Sequence, residues 1–197
     1  MKHPNIIKIV CHDIGRHLGC YGVKSVNSNA IDSLAKNGIL FKNSFATSPG
    51  CSPSRAAIAT GMYPHNTGVL GLAHAHFGWS LDKKINHIAK YFSKNGYTSM
   101  LFGLQHVTYH EKTLGFNKIF PERPADEVLK NITKIIDNKI FKKPFYAEVN
   151  FFEPHRPFDY GGIKPDKSKG VYIPKYIPKN IYSQREFSEM QGAIKKM

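Results

Sequence analysis

The 197-residue sequence contains 28 Lys and Arg against 14 Asp and Glu, so its formal net charge is +14. This balance favours anionic partners such as phosphates or sulfates, but the lysines are scattered and no zinc spacing, RNA-binding motif or arginine cluster accompanies them. We therefore predict no nucleic-acid partner, and no membrane partner either, because no apolar run approaches the roughly 18 to 20 residues that span a bilayer.

The order of hydrophobic patterns along the chain predicts an α/β fold, with a mostly parallel sheet sandwiched by helices. Apolar runs typical of buried strands alternate with amphipathic segments that end at glycine or asparagine. The predicted strands are 5–11, 38–45, 97–102 and 144–152, and the predicted helices are 28–38, 53–61, 81–96, 125–139 and 183–197. Residues 159–182 are rich in Pro, Gly and Lys and are predicted to form a surface segment.

Three cysteines, Cys11, Cys20 and Cys51, form no CxxC pair. An odd number without such a pair disfavours a disulfide framework and a zinc knuckle, and it suits a reducing compartment. The N-terminal apolar run ends in a histidine and an aspartate without a small-residue cleavage site, so no signal peptide is predicted and a cytoplasmic location is expected.

Chemically active side chains follow several of the predicted strands. Since the carboxyl ends of parallel strands meet at one edge of an α/β sheet, these residues are expected to converge there. They are His12 and Asp13, Cys51, His106, and Glu153 with His155. Any one of them alone is more often a turn or capping residue, so the prediction depends on their joint placement.

The segment "CSPSR" at 51–55 predicts a reactive group at a helix N-terminus. Pro53 suits the first helical position, Ser52 an N-cap and Gly61 a C-cap, which places Cys51 just before the helix. The positive end of the helix dipole and the charge of Arg55 would acidify the thiol and hold an anion beside it. A buried cysteine beside an ordinary capped helix is the plainer interpretation of the same residues.

The pattern C-x-P-S-R followed by "AAIATGMYPHNTG" resembles the signature of the sulfatase family. The resemblance implies an alkaline phosphatase-like fold and a Cys51 that a maturation enzyme oxidises to formylglycine. The hydrated aldehyde would then supply two hydroxyls, one to attack sulfur and one to expel sulfate. Arg55 would stabilise the diol and the sulfate charge.

The same resemblance implies a divalent cation, calcium or alternatively magnesium. Asp13 and the Cys51-derived diol would be ligands. His12 stands where the family has a second acidic residue, which implies either a variant site in which His12 contacts the metal or the substrate, or a weakened metal site. His106 and His155 would assist at the attacking and leaving oxygens. Leu104 stands where the family has a sulfate-binding lysine.

The stretches "GLAHAHFGWSLDKK", "LQHVTYHE" and "EPHR" resemble the branch that contains heparan N-sulfatase. This implies a sulfated small molecule or saccharide as substrate, contacted by His74, His76 and Arg156. Residues 1–197 resemble the N-terminal part of a sulfatase catalytic domain without the second half of the metal site and without the smaller C-terminal domain. We therefore expect little or no activity from this chain alone, and a truncated, inactive relative that binds anions or a partner chain is the alternative function.

Overall fold

The computed structural model describes residues 3–74, 76, 78–138, 144–160 and 162–197. The chain divides into two compact units, which we name unit 1 and unit 2. Unit 1 comprises Met1–Val10 and Phe45–Phe151, and unit 2 comprises Cys11–Ser44 and Phe152–Met197.

A four-stranded sheet forms the centre of unit 1. Its strands are β1 (Ile6–Val10), β2 (Thr98–Gly103), β3 (Lys118–Phe120) and β4 (Phe145–Asn150). They lie in the order β1-β4-β2-β3, and every neighbouring pair is parallel. This confirms the predicted parallel α/β sheet, in which β3 was not predicted.

Strand β1 was predicted to be buried on both faces, and that prediction is wrong. Ile7 and Ile9 are 46% and 53% exposed, whereas every residue of β4 is buried. The reason is position, because β1 is an edge strand of the described sheet and β4 pairs on both sides.

Six α-helices accompany the sheet in the described residues. In chain order they are α1 (Asn29–Asn37), α2 (Cys51–Thr60), α3 (Pro64–Thr67), α4 (Ile88–Lys94), α5 (Ala125–Asp137) and α6 (Ile181–Lys196). Helices α2 to α5 belong to unit 1, and α1 and α6 belong to unit 2. None of the described helices is both long enough and apolar enough to cross a lipid bilayer.

Each unit has its own hydrophobic core. In unit 1, side chains from β2 and β4 pack with α5, and a second cluster joins α2 to the segments on either side of β2. In unit 2, Leu18, Val23 and Val26 pack with Ile194 of α6. The residues of each unit are therefore held in place by packing within that unit.

Three predicted elements differ from the structure. The segment 38–45 is not a strand, and Ile39, Phe41 and Phe45 are largely exposed, because no described strand pairs with it. Helix α2 begins at Cys51, two residues earlier than predicted, with Gly50 and not Ser52 at the N-cap. Helix α4 is much shorter than 81–96 because His87 caps it.

The N-cap residue of α4, His87, leads to a prediction about how stability depends on pH. The Nδ1 atom of His87 accepts a hydrogen bond from the Ala89 backbone N–H at 3.1 Å, so the ring is neutral at that nitrogen. Burial lowers the pKa of His87 from 6.5 to about 4, while nearby Glu148 raises it and Lys8 lowers it. Because the unfolded chain binds more protons between these two values, this histidine reduces the stability of the fold as the pH falls through that range.

Replacing His87 by asparagine keeps a capping oxygen and removes the titration. Because His87 is buried, the smaller asparagine should lower the free energy of unfolding by on the order of 1 to 3 kcal/mol at pH 7.5. Between pH 7.5 and pH 4.5 the difference in stability between the two proteins should shift in favour of the variant by on the order of 2 kcal/mol. Urea unfolding at both pH values measures this, and parallel pH profiles of the two proteins would contradict it.

Candidate functional site

Two groups of predicted site residues are found in the structure, one in each unit. The group in unit 2 lies on two loops, and the His12 N–H of one donates to Glu153 O of the other at 3.1 Å. These loops are therefore paired, and they carry His12, Asp13 and His155.

These three side chains form a compact cluster in unit 2. His12 Nδ1 lies 3.0 Å from Asp13 Oδ1, and His155 Nε2 lies 3.8 Å from Asp13 Oδ2. The rings of His12 and His155 meet edge to face, with centroids 4.5 Å apart. His12 is buried and Asp13 is exposed, so the Asp13 carboxylate contacts the buried His12 ring and also faces solvent.

The donor atoms of this cluster all lie within 4.8 Å of one another, which is a spacing that suits a metal ion. One carboxylate and two imidazoles fit a metal that accepts nitrogen ligands better than they fit calcium, which takes about 6 to 8 oxygens. The described residues of the cluster thus do not fit calcium by themselves. We assign no reaction step to a metal.

The group in unit 1 is built around the start of α2. Cys51 is the first residue of the helix, and the Ser54 N–H donates to Gly50 O at 3.0 Å to close the first turn. Pro53 lies in that turn without an N–H, so the helix dipole at this end is presented by the backbone N–H groups of Cys51 and Ser52. The thiol is half-buried, which leaves it accessible to another molecule.

Arg55 lies one turn into α2 and is buried. Its Nη1 donates to the backbone carbonyl of Leu104 at 3.2 Å. The guanidinium is thus anchored to the loop after β2 through the backbone carbonyl of Leu104.

His74 and His106 lie together in unit 1. His74 Nδ1 and His106 Nε2 are 2.6 Å apart, and the two rings stack. A ring nitrogen of His106 also lies within 4.8 Å of Cys51 Sγ. His106 and Cys51 are therefore close together in unit 1, as predicted, although the segment 38–45 before Cys51 is not a strand.

The backbone is strained at two of the predicted site residues. In the described part of the chain, two non-glycine residues have positive φ, namely Asp13 at 51° and His106 at 59°. Such angles are uncommon for side chains with a Cβ and concentrate at functional positions. One of the two residues lies in each group.

Some positioning residues were not predicted from the sequence. The hydroxyl of Ser52 accepts a hydrogen bond from the Ala73 N–H at 3.0 Å, which ties the loop before His74 to α2. Gln105 accepts from the Val107 N–H and donates to Thr108 O, both at 2.6 Å, and so shapes the loop that carries His106. No sequence pattern signals these contacts, because a serine or glutamine in a loop is common without them.

Two further predicted substrate contacts are exposed. His76 is exposed in unit 1. In unit 2 the exposed Arg156 pairs with Glu186 of α6 and lies 5.5 Å from the ring centroid of Phe158. Their predicted roles at a substrate stay predictions.

The chain is similar to known proteins in both sequence and fold. The sulfatase family model matches residues 4–185, and the chain belongs to the sulfatase family. Its lineage is therefore that of the sulfuric ester hydrolases, as predicted. The fold agrees: a putative sulfatase from Bacteroides fragilis superposes with a TM-score of 0.75 at 21% identity, covering 98% of this chain and 55% of the other. A protein solved in complex with its substrate D-glucosamine-2-N,6-O-disulfate superposes with a TM-score of 0.69 at 20% identity, covering 89% of this chain and 40% of the other.

Two curated proteins are similar to this chain in sequence. The chain is 29% identical to the N-sulphoglucosamine sulphohydrolase of Homo sapiens over 160 residues, which cover 77% of this chain and 32% of that protein. It is 33% identical to an ulvan-active sulfatase of Formosa agariphila over 186 residues, which cover 91% of this chain and 35% of that protein. The chain thus spans about one third of the length of these two relatives.

Proposed function

We propose that this chain supplies the nucleophile of a sulfatase that hydrolyses a sulfate ester or sulfamate on a sulfated sugar, through a formylglycine derived from Cys51. The observation that carries the proposal is the position of Cys51 as the first residue of α2, with a ring nitrogen of His106 within 4.8 Å of its sulfur. Arg55, anchored one turn further on, places a fixed positive charge beside it. A developing negative charge is stabilised in such surroundings.

The thiol itself does not perform this reaction. Conversion of Cys51 to the hydrated aldehyde would give two hydroxyls on one carbon, and one of them would attack sulfur while the sugar oxygen or nitrogen leaves. Loss of a proton from the other hydroxyl would re-form the aldehyde and expel sulfate. His106 is the side chain of unit 1 that is best placed to move a proton at this position.

His155 is the proposed proton donor to the leaving group, and its partner in unit 2 is Asp13 at 3.8 Å. A divalent cation near Asp13 is a prediction that the resemblance supports, with calcium or magnesium as the candidate ions, and either ion would need oxygen ligands in addition to the one carboxylate of the cluster. The saccharide substrate is supported by relatives whose names describe sulfated sugars.

A chain that binds anions without hydrolysing them is the second candidate function. The observation that favours it is Leu104, because an aliphatic side chain stands where a lysine would contact sulfate and its carbonyl is occupied by Arg55. The two functions differ at Cys51, which must be converted in the first and need not be in the second.

Mass spectrometry of the peptide that contains Cys51 tests the proposal. We expect the chain produced together with a formylglycine-generating enzyme to lose about 18 Da at this residue, which is the mass change from thiol to aldehyde. A known sulfatase expressed in the same cells is the control for maturation. Full conversion of the control with an unmodified Cys51 here would favour the second function.

A further inference from the structure

The ligand set of the cluster in unit 2 disagrees with the ion that the family resemblance implies. Calcium takes about 6 to 8 oxygen ligands, whereas this cluster offers one carboxylate, from Asp13, and two imidazoles, from His12 and His155. Imidazole nitrogen suits zinc and the neighbouring transition metals. The donor atoms therefore indicate a different class of ion at this place in the fold.

The distances between the donor atoms suit an ion of the size of zinc. Zinc binds nitrogen and oxygen at about 2.0 to 2.2 Å in a tetrahedral arrangement, which places two of its ligand atoms roughly 3.3 Å apart. His12 Nδ1 lies 3.0 Å from one oxygen of Asp13, and His155 Nε2 lies 3.8 Å from the other. These two distances bracket the tetrahedral value, so small side-chain shifts would place the three residues around one ion.

A hydrogen bond to the backbone orients His155 as a metal ligand. Its Nδ1 atom contacts the carbonyl oxygen of Arg156, and because a carbonyl oxygen only accepts, Nδ1 carries the proton of this hydrogen bond. In the neutral ring Nε2 therefore has its lone pair towards the Asp13 carboxylate. Both of these atoms are electron-rich, so a cation between them is stabilising. Histidines that bind metals characteristically donate their other ring N–H to a carbonyl or a carboxylate.

The two imidazole rings are held in place by packing within unit 2. His12 is buried, and its ring centroid lies 4.5 Å from that of His155 and 6.1 Å from that of Phe152. The ring of Phe152 also lies 4.9 Å from that of His155. Because the rings are already oriented, little conformational entropy is lost when an ion binds. The Asp13 side chain is 58% exposed, which leaves room for water as a fourth ligand.

We propose that His12, Asp13 and His155 bind zinc, or a transition-metal ion of the same nitrogen-preferring class, in preference to calcium and magnesium. Zinc is satisfied by three protein ligands and a water, whereas calcium and magnesium require more oxygen ligands than the one carboxylate of this cluster. The ion is assigned no step in a reaction, and its binding does not depend on conversion of Cys51.

Titration of the full 197-residue chain measures the preference. Zinc, cobalt and calcium are each titrated by calorimetry into the metal-free chain with Cys51 left as the thiol. We expect the dissociation constant for zinc to be at least about 100-fold lower than that for calcium. The absorption spectrum of the cobalt complex reports the ligands. It should be that of a tetrahedral site without a thiolate charge-transfer band, because the three protein ligands are nitrogen and oxygen.

Loss of one ligand should weaken zinc binding. His155→Ala is expected to raise the dissociation constant for zinc at least about tenfold, the scale on which even the outer partners of metal ligands act. Asp13→Asn should have an effect at least as large as about tenfold, because it removes the one negative charge of the ligand set. Asparagine tolerates the positive φ of this position, so the second variant keeps the backbone conformation.

The matched control is His65→Ala, since His65 is an exposed histidine of α3 outside the cluster. It should change the dissociation constant for zinc by less than about twofold. His12→Asp tests the preference in the opposite direction, because it restores the second acidic residue that the family has at this position. It should lower the preference for zinc over calcium at least about tenfold.

The proposal is overturned if the chain binds no zinc, if calcium binds as tightly as zinc, if His155→Ala and His65→Ala have equal effects, or if the cobalt spectrum contains a thiolate band. None of these results depends on conversion of Cys51. A chain that binds zinc through these residues and fails to mature would contradict the proposed reaction and leave the zinc site standing.

Discussion

Serine in place of Cys51 is expected to stop the reaction after the first transfer of sulfate, so that Cys51→Ser retains one sulfate where the matured wild type releases it. Serine has one hydroxyl on its Cβ where the hydrated aldehyde has two. It can attack sulfur, but it has no second hydroxyl whose ionisation would expel the sulfate. Cys51→Ser should therefore accumulate one covalent sulfate, seen as a gain of about 80 Da on the peptide that contains residue 51.

This experiment does not need rapid turnover, because one sulfation event per chain is enough to detect. Cys51→Ala is the matched control and should gain no mass, since it has no nucleophile. Sulfate release by Cys51→Ser at the wild-type rate would refute the diol mechanism. Absence of the adduct in a chain that binds the sugar would show that the residues present orient the substrate without activating the nucleophile.

The strands of the sheet could be predicted from the sequence where an apolar run coincides with a buried, central position in the sheet. Strands β2 and β4 are central and buried, and their continuous apolar runs predicted them within one or two residues. The segment 38–45 has the same composition and forms no strand, because a strand requires a pairing neighbour, which no local pattern specifies. The exposure of Ile7 and Ile9 has the same cause, since an edge strand differs from a central one only in its partners.

In the candidate site, too, some features could be predicted from the sequence and others could not. Cys51, His106, Asp13 and His155 could be singled out because each follows a predicted strand or opens a helix. The contacts that orient them could not, because they join residues far apart in sequence, such as Ser52 with Ala73. The position of Ser52 also shows how a capping rule can mislead: its hydroxyl is used in a tertiary hydrogen bond, and glycine takes the cap.

One polar network inside the sheet of unit 1 was not predicted at all. Lys8 of β1 and Glu148 of β4 are register partners, and Lys8 Nζ lies 2.6 Å from Glu148 Oε2. The hydroxyl of Tyr146 donates to the same carboxylate at 2.9 Å, and the amide of Asn150 donates at 3.1 Å. Burial raises the pKa of Glu148, but the charge of Lys8, the nearby His87 and the hydrogen bonds from Lys8 and Asn150 outweigh burial and hold it below its usual value.

Removing the lysine should therefore be strongly destabilising. We expect Lys8→Met to lower the free energy of unfolding by about 3 kcal/mol at pH 7, because it leaves the buried carboxylate of Glu148 without its counter-charge. Lys130→Met is the control: its partner Glu127 lies 3.3 Å away on the exposed side of α5. Loss of that surface pair should change stability by less than about 1 kcal/mol.

The double variant Lys8→Met with Glu148→Gln separates charge from packing. The amide of glutamine is neutral and can still accept from Tyr146, so the double variant should recover at least about half of the loss caused by Lys8→Met alone. If both proteins unfold at the same urea concentration, the lysine acts through packing of its methylenes and not through its charge.

The pH dependence of the free energy of unfolding also distinguishes the charge of Lys8 from its packing, and it needs no second substitution. In the wild type the depressed pKa of Glu148 contributes stability above the unfolded value, and that contribution is lost as the pH falls through the folded pKa. In Lys8→Met the buried carboxyl lacks its cation, so its pKa rises and it takes up a proton at mildly acidic pH. The deficit of the variant should therefore shrink between pH 7 and pH 4.5, whereas a deficit due to packing would stay constant.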